Sequence, residues 1–126
     1  MNILIQGGGR GIGLALARRA LARRALAAGT DRLIITTRQP ASAPGHDELA
    51  ADSRVSILPL DVTSDASIRT AAADIRAMVP RLDRVIFTSG MLQQDGIRPE
   101  KRIADLDADA LVHLYRVNAL GPVLLA

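Results

Sequence analysis

Five glycines near the start of the chain are the residues whose spacing points most directly to a chemical role. They lie in the run Gln6-Gly7-Gly8-Gly9-Arg10-Gly11-Ile12-Gly13, which follows the apolar segment Ile3-Leu4-Ile5 and precedes an Ala/Leu-rich stretch. In a strand–turn–helix order, glycines let backbone N–H groups approach a pyrophosphate at the positive end of the helix dipole. Glycine is also ordinary in loops, but this placement favours a dinucleotide-binding turn.

Alternating strand and helix patterns surround this turn and determine where it lies. They predict strands over 2–6, 32–37, 55–60 and 85–88. They predict helices over 12–28 (closed by Gly29), over 47–51, over 66–78 (capped by Thr63-Ser64-Asp65 and stopped at Pro80) and from about Asp107 onward. The segments 40–45 and 93–100 are interpreted as loops. Strands that alternate with helices predict an α/β fold with a Rossmann-like, doubly wound parallel sheet and right-handed crossovers.

Length and composition are typical of a single domain with its own apolar core, because 48% of the 126 residues are hydrophobic. Phe87 and Tyr115 are the only aromatic residues, so base stacking on single-stranded nucleic acid has little to use. The net charge of +3 comes almost entirely from arginine. We interpret the arginines of the first predicted helix as a solvated face; contact with nucleic acid is the alternative, with no motif behind it. No nucleic-acid partner is expected.

Several other site classes lack the residues they need. The chain has no cysteine, which excludes disulfides and thiolate chemistry, and its two histidines, His46 and His113, are too isolated to predict a metal site. No apolar run approaches membrane-spanning length, and an apolar strand begins at residue 2, without a basic region or cleavage site typical of a secretory signal. The expectation is a cytoplasmic protein that does not bind a membrane.

Four separated motifs together resemble the N-terminal half of the short-chain dehydrogenase/reductase family. The family's glycine pattern, Thr-Gly-x-x-x-Gly-Ile-Gly, is matched by Gly7, Gly11, Ile12 and Gly13, with Gln6 in place of the threonine. The resemblance implies that this turn binds the pyrophosphate and adenosine phosphate of a nicotinamide dinucleotide. The residues expected to contribute are Gly7, Gly9, Arg10, Gly11, Ile12 and Gly13.

Two further motifs follow the third and fourth predicted strands. The family's Asp-Val pair is matched by Asp61-Val62, which implies that Asp61 accepts from the adenine amino group while the Val62 backbone holds the ring edge. Taken alone, Asp61 would be interpreted as a turn carboxylate beside a helix, but its position in this motif favours contact with adenine. The family's Asn-Asn-Ala-Gly appears as Phe87-Thr88-Ser89-Gly90, in which only the glycine survives. Gly90 is still expected to let the cofactor ribose approach, but the asparagines that join neighbouring strands are missing.

The fourth motif, Val117-Asn-Ala-Leu-Gly-Pro122, is similar to the family's asparagine-containing helix. By position Asn118 takes the role of the asparagine in the catalytic tetrad, which bends the helix and holds a water in the proton relay. A helix-interior asparagine bonded to a carbonyl one turn back is the structural alternative, and the Gly121-Pro122 pair would also bend the helix. Within the family, the sequence looks most like the C-factor-like branch.

Arginines stand where a cofactor's second phosphate would lie. In NAD-selective relatives an acidic residue ends the second strand and binds the ribose hydroxyls. Here that strand ends Thr36-Thr37-Arg38, and no acid follows before Asp47. A guanidinium pairs well with a 2′-phosphate, and Arg10 adds a second charge, although either arginine alone would also suit an ordinary surface. Together they predict NADP(H) in preference to NAD(H).

The family's catalytic Tyr-x-x-x-Lys pair is not found in these 126 residues. Tyr115 does not replace it, because Ala119 stands four residues later and the only lysine, Lys101, precedes it. Residues 1–126 are therefore expected to form an NAD(P)-binding domain truncated before that segment, which does not turn over substrate alone. The complete protein is expected to transfer hydride to or from a small carbonyl or secondary alcohol. The alternative is a non-catalytic dinucleotide-binding module that contacts a partner.

The resemblance also implies an incomplete sheet of about four strands in the order 3-2-1-4, with the fourth strand as an open edge. The last helix would then lack packing partners for its apolar residues, and in the family this helix often pairs across a dimer interface. We therefore expect an exposed apolar patch and either association between copies through this helix or only marginal stability. Its apolar residues are Leu111, Leu114, Val117, Leu120, Val123 and Leu124.

Overall fold

A computed structural model describes residues 1–24, 32–43, 45–92 and 99–126, without the side chains of 22–24. Its strands are β1 (Asn2–Gln6), β2 (Arg32–Thr37), β3 (Val55–Pro59) and β4 (Arg84–Phe87). Its α-helices are α1 (Gly11–Arg24), α2 (His46–Ala50), α3 (Asp65–Met78), α4 (Ala108–Tyr115) and α5 (Gly121–Leu125). A π-helix, Arg116–Leu120, joins α4 to α5, and short 3₁₀ turns occupy Pro40–Ser42 and Ile103–Asp105.

The four strands form one parallel sheet in the order β3-β2-β1-β4, which confirms the predicted fold and strand order. Ile5 of β1 is paired in register with Ile35 of β2 on one side and Ile86 of β4 on the other. Among the described strands β4 forms an edge, as expected.

Alternation along the central strands divides the core between the two faces of the sheet. Ile3 and Ile5 pack with Leu14 and Ala17 of α1 on one face. Leu4 packs on the other face with residues of α3 and with Leu125 of α5. Because β1 and β2 are covered on both faces, their sequences are continuous apolar runs, as parallel strands require.

Helix ends follow local capping chemistry. The Ser64 side chain accepts from the backbone N–H of Ser67 and caps α3, while Asp107 accepts from that of Ala110 and caps α4. The predicted extension of α1 to residue 28 and its closure by Gly29 lie outside the described residues, as does most of the predicted loop 93–100.

Two predictions need correction. The segment 40–45 contains a 3₁₀ turn at its start, where Pro40 supplies a suitable φ. The last helix is not uniformly α-helical, because the π-helix interrupts it. Predicted bounds elsewhere differ from the observed ones by one residue at some ends, which is ordinary fraying. Within the described residues, no helix is long and apolar enough to cross a membrane.

Candidate cofactor site

The glycine turn connects β1 to α1 in a conformation that side chains would oppose. Gly7 has φ +88° and Gly11 has φ +52°, both in the left-handed region that favours glycine. The backbone N–H groups of Gly7 and Gly8 both donate to the Thr36 carbonyl at 3.0 Å, which fixes the turn to the end of β2. A Cβ on Gly11 would meet no atom within 4 Å, so the space above the first residue of α1 is open.

Three other glycines allow close packing. A Cβ on Gly8 would collide with Ile35, and one on Gly9 with Thr37. A Cβ on Gly13 would collide with the Gly7 carbonyl and would lie 2.5 Å from the Thr88 hydroxyl. The run of glycines therefore brings α1 directly against β1 and the end of β4, with the first turn of the helix facing open space.

Arg10 and Arg38 are exposed on either side of the turn, one before α1 and the other after β2. Within the described part of the chain, neither guanidinium forms an ion pair. Ile12 is 74% exposed beside them, although it is an aliphatic side chain in the first turn of a helix. All three side chains are therefore accessible from solvent near the glycine turn.

Asp61 follows β3 and is held by its neighbours. Its Oδ1 accepts from the Thr63 N–H at 2.8 Å and the Thr63 hydroxyl at 2.7 Å, while its own N–H donates to Ser67 Oγ at 2.9 Å. The Thr63 hydroxyl hydrogen bond lowers the pKa of Asp61; partial burial opposes this, and the charges of Arg38 and His113 reinforce it. Among the described residues no hydrogen bond engages Oδ2, which remains available as an acceptor.

Val62 is buried under the last helix. A Cβ on Gly121 would collide with the Val62 carbonyl, so α5 touches this backbone because residue 121 is glycine. Arg116 fastens the same region: its Nε donates to the Thr63 carbonyl at 2.9 Å, and its guanidinium pairs with Asp65. The loop after β3 is thus attached to the helical segment that carries Asn118.

Asn118 lies within the π-helix and reaches the loop after β4. Its Oδ1 accepts from the Met91 N–H at 2.7 Å, and its Nδ2 donates to the Met91 carbonyl at 2.8 Å. A Cβ on Gly90 would lie 4.0 Å from Asn118 Oδ1. The expected bend is thus a π-turn, and the asparagine bonds to this loop instead of to a carbonyl one turn back. π-turns of this kind are frequent at functional sites.

Sequence reasoning missed the contribution of Gln6, Thr88 and Ser89. Ser89 Oγ donates to Gln6 Oε1 at 2.7 Å, and Thr88 Oγ1 donates to the Gln6 carbonyl at 2.8 Å. The family's asparagines are missing here, but these hydroxyls make links between β1 and the segment after β4. A polar Gln6 at the end of one parallel strand, with two hydroxyl residues directly after the neighbouring strand, was the available signal.

The predicted site residues lie together at the carboxyl ends of the strands, at one end of the sheet. The glycine turn follows β1, Arg38 follows β2, Asp61-Val62 follows β3 and Gly90 follows β4. In open parallel sheets, ligands bind outside the carboxyl ends of the strands where the chain order reverses. Here that point lies between β1 and β4. The first turn of a helix, two exposed guanidinium groups and a carboxylate oxygen are the kinds of group that bind a phosphorylated dinucleotide.

Comparisons with known proteins agree with this geometry. The sequence model of the short chain dehydrogenase family matches residues 1–126. Among solved structures, the NADPH-bound carbonyl reductase from chicken fatty liver shares 28% identity and a TM-score of 0.83, over 98% of this chain and 45% of that one.

A carbonyl reductase from Pseudomonas aeruginosa in complex with NADP shares 30% identity and a TM-score of 0.77, over 100% of this chain and 53% of that one. The putative carbonyl reductase Sniffer of Caenorhabditis elegans shares 26% identity and a TM-score of 0.79, over 98% and 49%. The chain therefore spans about half the length of these structural relatives. No curated protein compared with it is significantly similar. On its fold, its glycine turn and the family match over residues 1–126, the chain belongs to the short-chain dehydrogenase family.

Proposed function

We propose that this chain is the cofactor-binding part of an NADP(H)-dependent oxidoreductase that acts on a carbonyl or secondary alcohol. One observation carries the proposal: the carboxyl ends of the four strands bring together the glycine turn, Arg38, Asp61 and Gly90. Structural relatives that bind NADPH or NADP and are named carbonyl reductases support the same activity. When bound, the nicotinamide supplies or accepts the hydride.

Each group of residues at the carboxyl ends of the strands has its own role in this proposal. The turn Gly7–Gly13, including Gly9, Gly11 and Ile12, receives the pyrophosphate on backbone N–H groups at the start of α1. Arg38 and Arg10 pair with the 2′-phosphate of the adenosine ribose. Asp61 accepts from the adenine amino group through Oδ2, because Thr63 occupies Oδ1.

The nicotinamide end is assigned to Gly90 and Asn118. Gly90 leaves room for the ribose. At the other, adenine end of the site, Val62 supports the ring edge from its buried position under α5. Asn118 holds the backbone of Met91 and keeps this loop against the helix. An amide does not titrate, so Asn118 orients hydrogen bonds and carries no proton itself.

Association between copies is a second part of the proposal. Apolar side chains of the last helical segments face solvent in the described structure. They are Leu111, Val112, Tyr115, Val123 and Leu124.

Two further statements stay predictions. One is that residues 1–126 do not turn over substrate alone, and the other is that the sequence resembles the C-factor-like branch.

Calorimetric titration with NADPH and, separately, NADH tests the cofactor choice. We expect saturable binding that favours NADPH, and a loss of at least about tenfold in NADPH affinity in Arg38→Asp, because a charge-assisted pair becomes a repulsion. NADH affinity should change little. Arg76→Asp makes the same charge change at the far end of α3 and should leave both affinities unaltered.

Preference for NADH by the unmodified chain would contradict the choice of cofactor. An equal loss of affinity for NADPH and NADH in Arg38→Asp would contradict the assignment of Arg38 to the 2′-phosphate. Absence of binding by a folded chain would contradict the proposal that residues 1–126 form a self-sufficient nucleotide site.

A further inference from the structure

The loop after β4 lies directly against the glycine turn. A Cβ on Gly7 would lie 2.8 Å from the Ser89 nitrogen and 2.9 Å from the Thr88 hydroxyl. The same hydroxyl lies 2.5 Å from the Cβ position of Gly13. The position of residues 88 and 89 and the shape of the turn are therefore set together.

The side chain of Gln6 adds a directional link at this contact. Gln6 is only 3% exposed, and its Oε1 accepts from Ser89 Oγ at 2.7 Å. Its backbone carbonyl accepts from the Thr88 N–H at 2.9 Å and the Thr88 hydroxyl at 2.8 Å. A buried acceptor of this kind is costly to leave unpaired, so the Gln6–Ser89 bond fixes where Ser89 lies.

The far end of the same loop is held by Asn118, whose side-chain amide makes both of its hydrogen bonds to the Met91 backbone. Only Gly90 separates Ser89 from Met91. The four-residue segment Thr88–Met91 is thus attached at its start to the phosphate-binding turn and at its end to the π-helix. Ser89 and Asn118 therefore restrain the same short segment from opposite ends.

We propose that Gln6 and Ser89 form a positioning pair that aligns the loop Thr88–Met91, and through it Asn118, with the phosphate-binding turn. The pair orders the ribose side of the site before the ligand arrives, which lowers the cost of binding. The family pattern has threonine at the position of Gln6 and alanine at the position of Ser89. The hydrogen bond between Gln6 and Ser89 explains both differences from the family pattern together. The ligand-dependent part of this inference rests on the proposed function.

Amide hydrogen exchange followed by NMR tests the pair without any ligand. In Ser89→Ala, the buried Gln6 Oε1 loses its partner, and we expect exchange at the Met91 amide to accelerate by at least about fivefold. Gln6→Thr should accelerate it as well. Ser53→Ala, which removes an exposed hydroxyl elsewhere, should leave Met91 unaffected. Unchanged Met91 exchange in both pair variants would overturn the inference.

A double variant distinguishes a matched pair from two separate structural residues. Gln6→Thr with Ser89→Ala removes both partners and leaves neither one unpaired, so its effect should be smaller than the combined single effects. Additive effects would overturn the pairing. The double variant also carries the residue types of the family pattern, which makes loss of folding less of a concern than in either single variant.

Ligand binding supplies the readout that a merely structural role would not change. Ser89→Ala should weaken NADPH binding by about tenfold and leave adenosine 2′,5′-bisphosphate binding nearly unchanged, because that probe lacks the nicotinamide riboside. Equal weakening of both ligands would overturn a positioning role at the ribose side. If the unmodified chain binds neither ligand, the proposed function fails, while the exchange measurement still decides whether the pair exists.

Discussion

The two sides of the sheet around β1 differ sharply in how completely they are built. On one side, β1 pairs with β2 and both strands are almost wholly buried, under α1 on one face and α3 on the other. On the other side, β4 is an edge strand whose Val85 and Phe87 are partly solvent-exposed, and α4 contains no buried residue. The glycine turn belongs to the first side and Asn118 to the second.

The difference shows that the two ends of the proposed site are ordered by different means. The glycine turn is held by apolar packing and by backbone hydrogen bonds to Thr36. The loop that reaches Asn118 depends on a few side-chain hydrogen bonds at a partly solvated edge. We therefore expect the glycine turn to be the more stable end of the proposed site, and the loop after β4 to open at lower free energy.

The largest expected effect compares Ile5 with Ile86, which are paired in register but differ in burial. Ile5 is 0% exposed, so Ile5→Ala should cost about 2–5 kcal/mol of the free energy of unfolding. Ile86 is only partly buried, and Ile86→Ala should cost about 1 kcal/mol. Urea unfolding measures both. Should Ile5→Ala not fold, Ile5→Val and Ile86→Val test the same ranking, and equal costs would contradict the comparison.

An intermediate effect concerns the exposed face of the last helix. Val112 and Val123 are 65% and 70% exposed, so burial between copies would gain free energy. Sedimentation velocity should show association that rises with concentration, and the double change Val112→Glu with Val123→Glu should abolish it. Ile103→Glu is the control, because Ile103 is also exposed but lies outside this helix. A monomer at all concentrations would count against the association.

The smallest expected effect is the pH dependence of the loop after β3. The folded state lowers the pKa of Asp61, chiefly through the Thr63 hydroxyl. The carboxylate therefore contributes stability that is fully present above its unfolded pKa and is lost as the pH falls through the lower folded value. Thr63→Val should raise the pKa of Asp61 and make stability less sensitive to pH in this acidic range. NMR titration of Asp61 measures the shift, and an unchanged pKa would remove Thr63 as its cause.

Sequence alone predicted the sheet because its signals are local and repeated. Short apolar runs at β1 and β2 are typical of strands covered on both faces, and the glycine turn marks the strand–helix junction. The resemblance to the family then supplied the strand order and the expected roles of Asp61 and Asn118. The roles of the site residues stay predictions, although the structure brings those residues together at the carboxyl ends of the strands.

The remaining features depend on contacts between residues far apart in the chain. The Gln6–Ser89 bond joins residues 83 positions apart, and the Arg116–Thr63 bond joins residues 53 apart. No periodicity signals such pairs. The π-helix was hidden for a related reason: its extra residue is stabilised by Asn118 on Met91 and by the fit of Gly121 against Val62, neither of which changes the local pattern.

That π-helix changes the angular phase of the segment. A π-turn accommodates one more residue than an α-turn, so residues after it are rotated by roughly 100° relative to an unbroken α-helix. After the π-turn, Leu125 is buried while Val123 and Leu124 face solvent. A helical wheel with a constant step of about 100° per residue therefore does not describe residues 108–125 as one helix, because the π-turn sets the phase of α5 relative to α4.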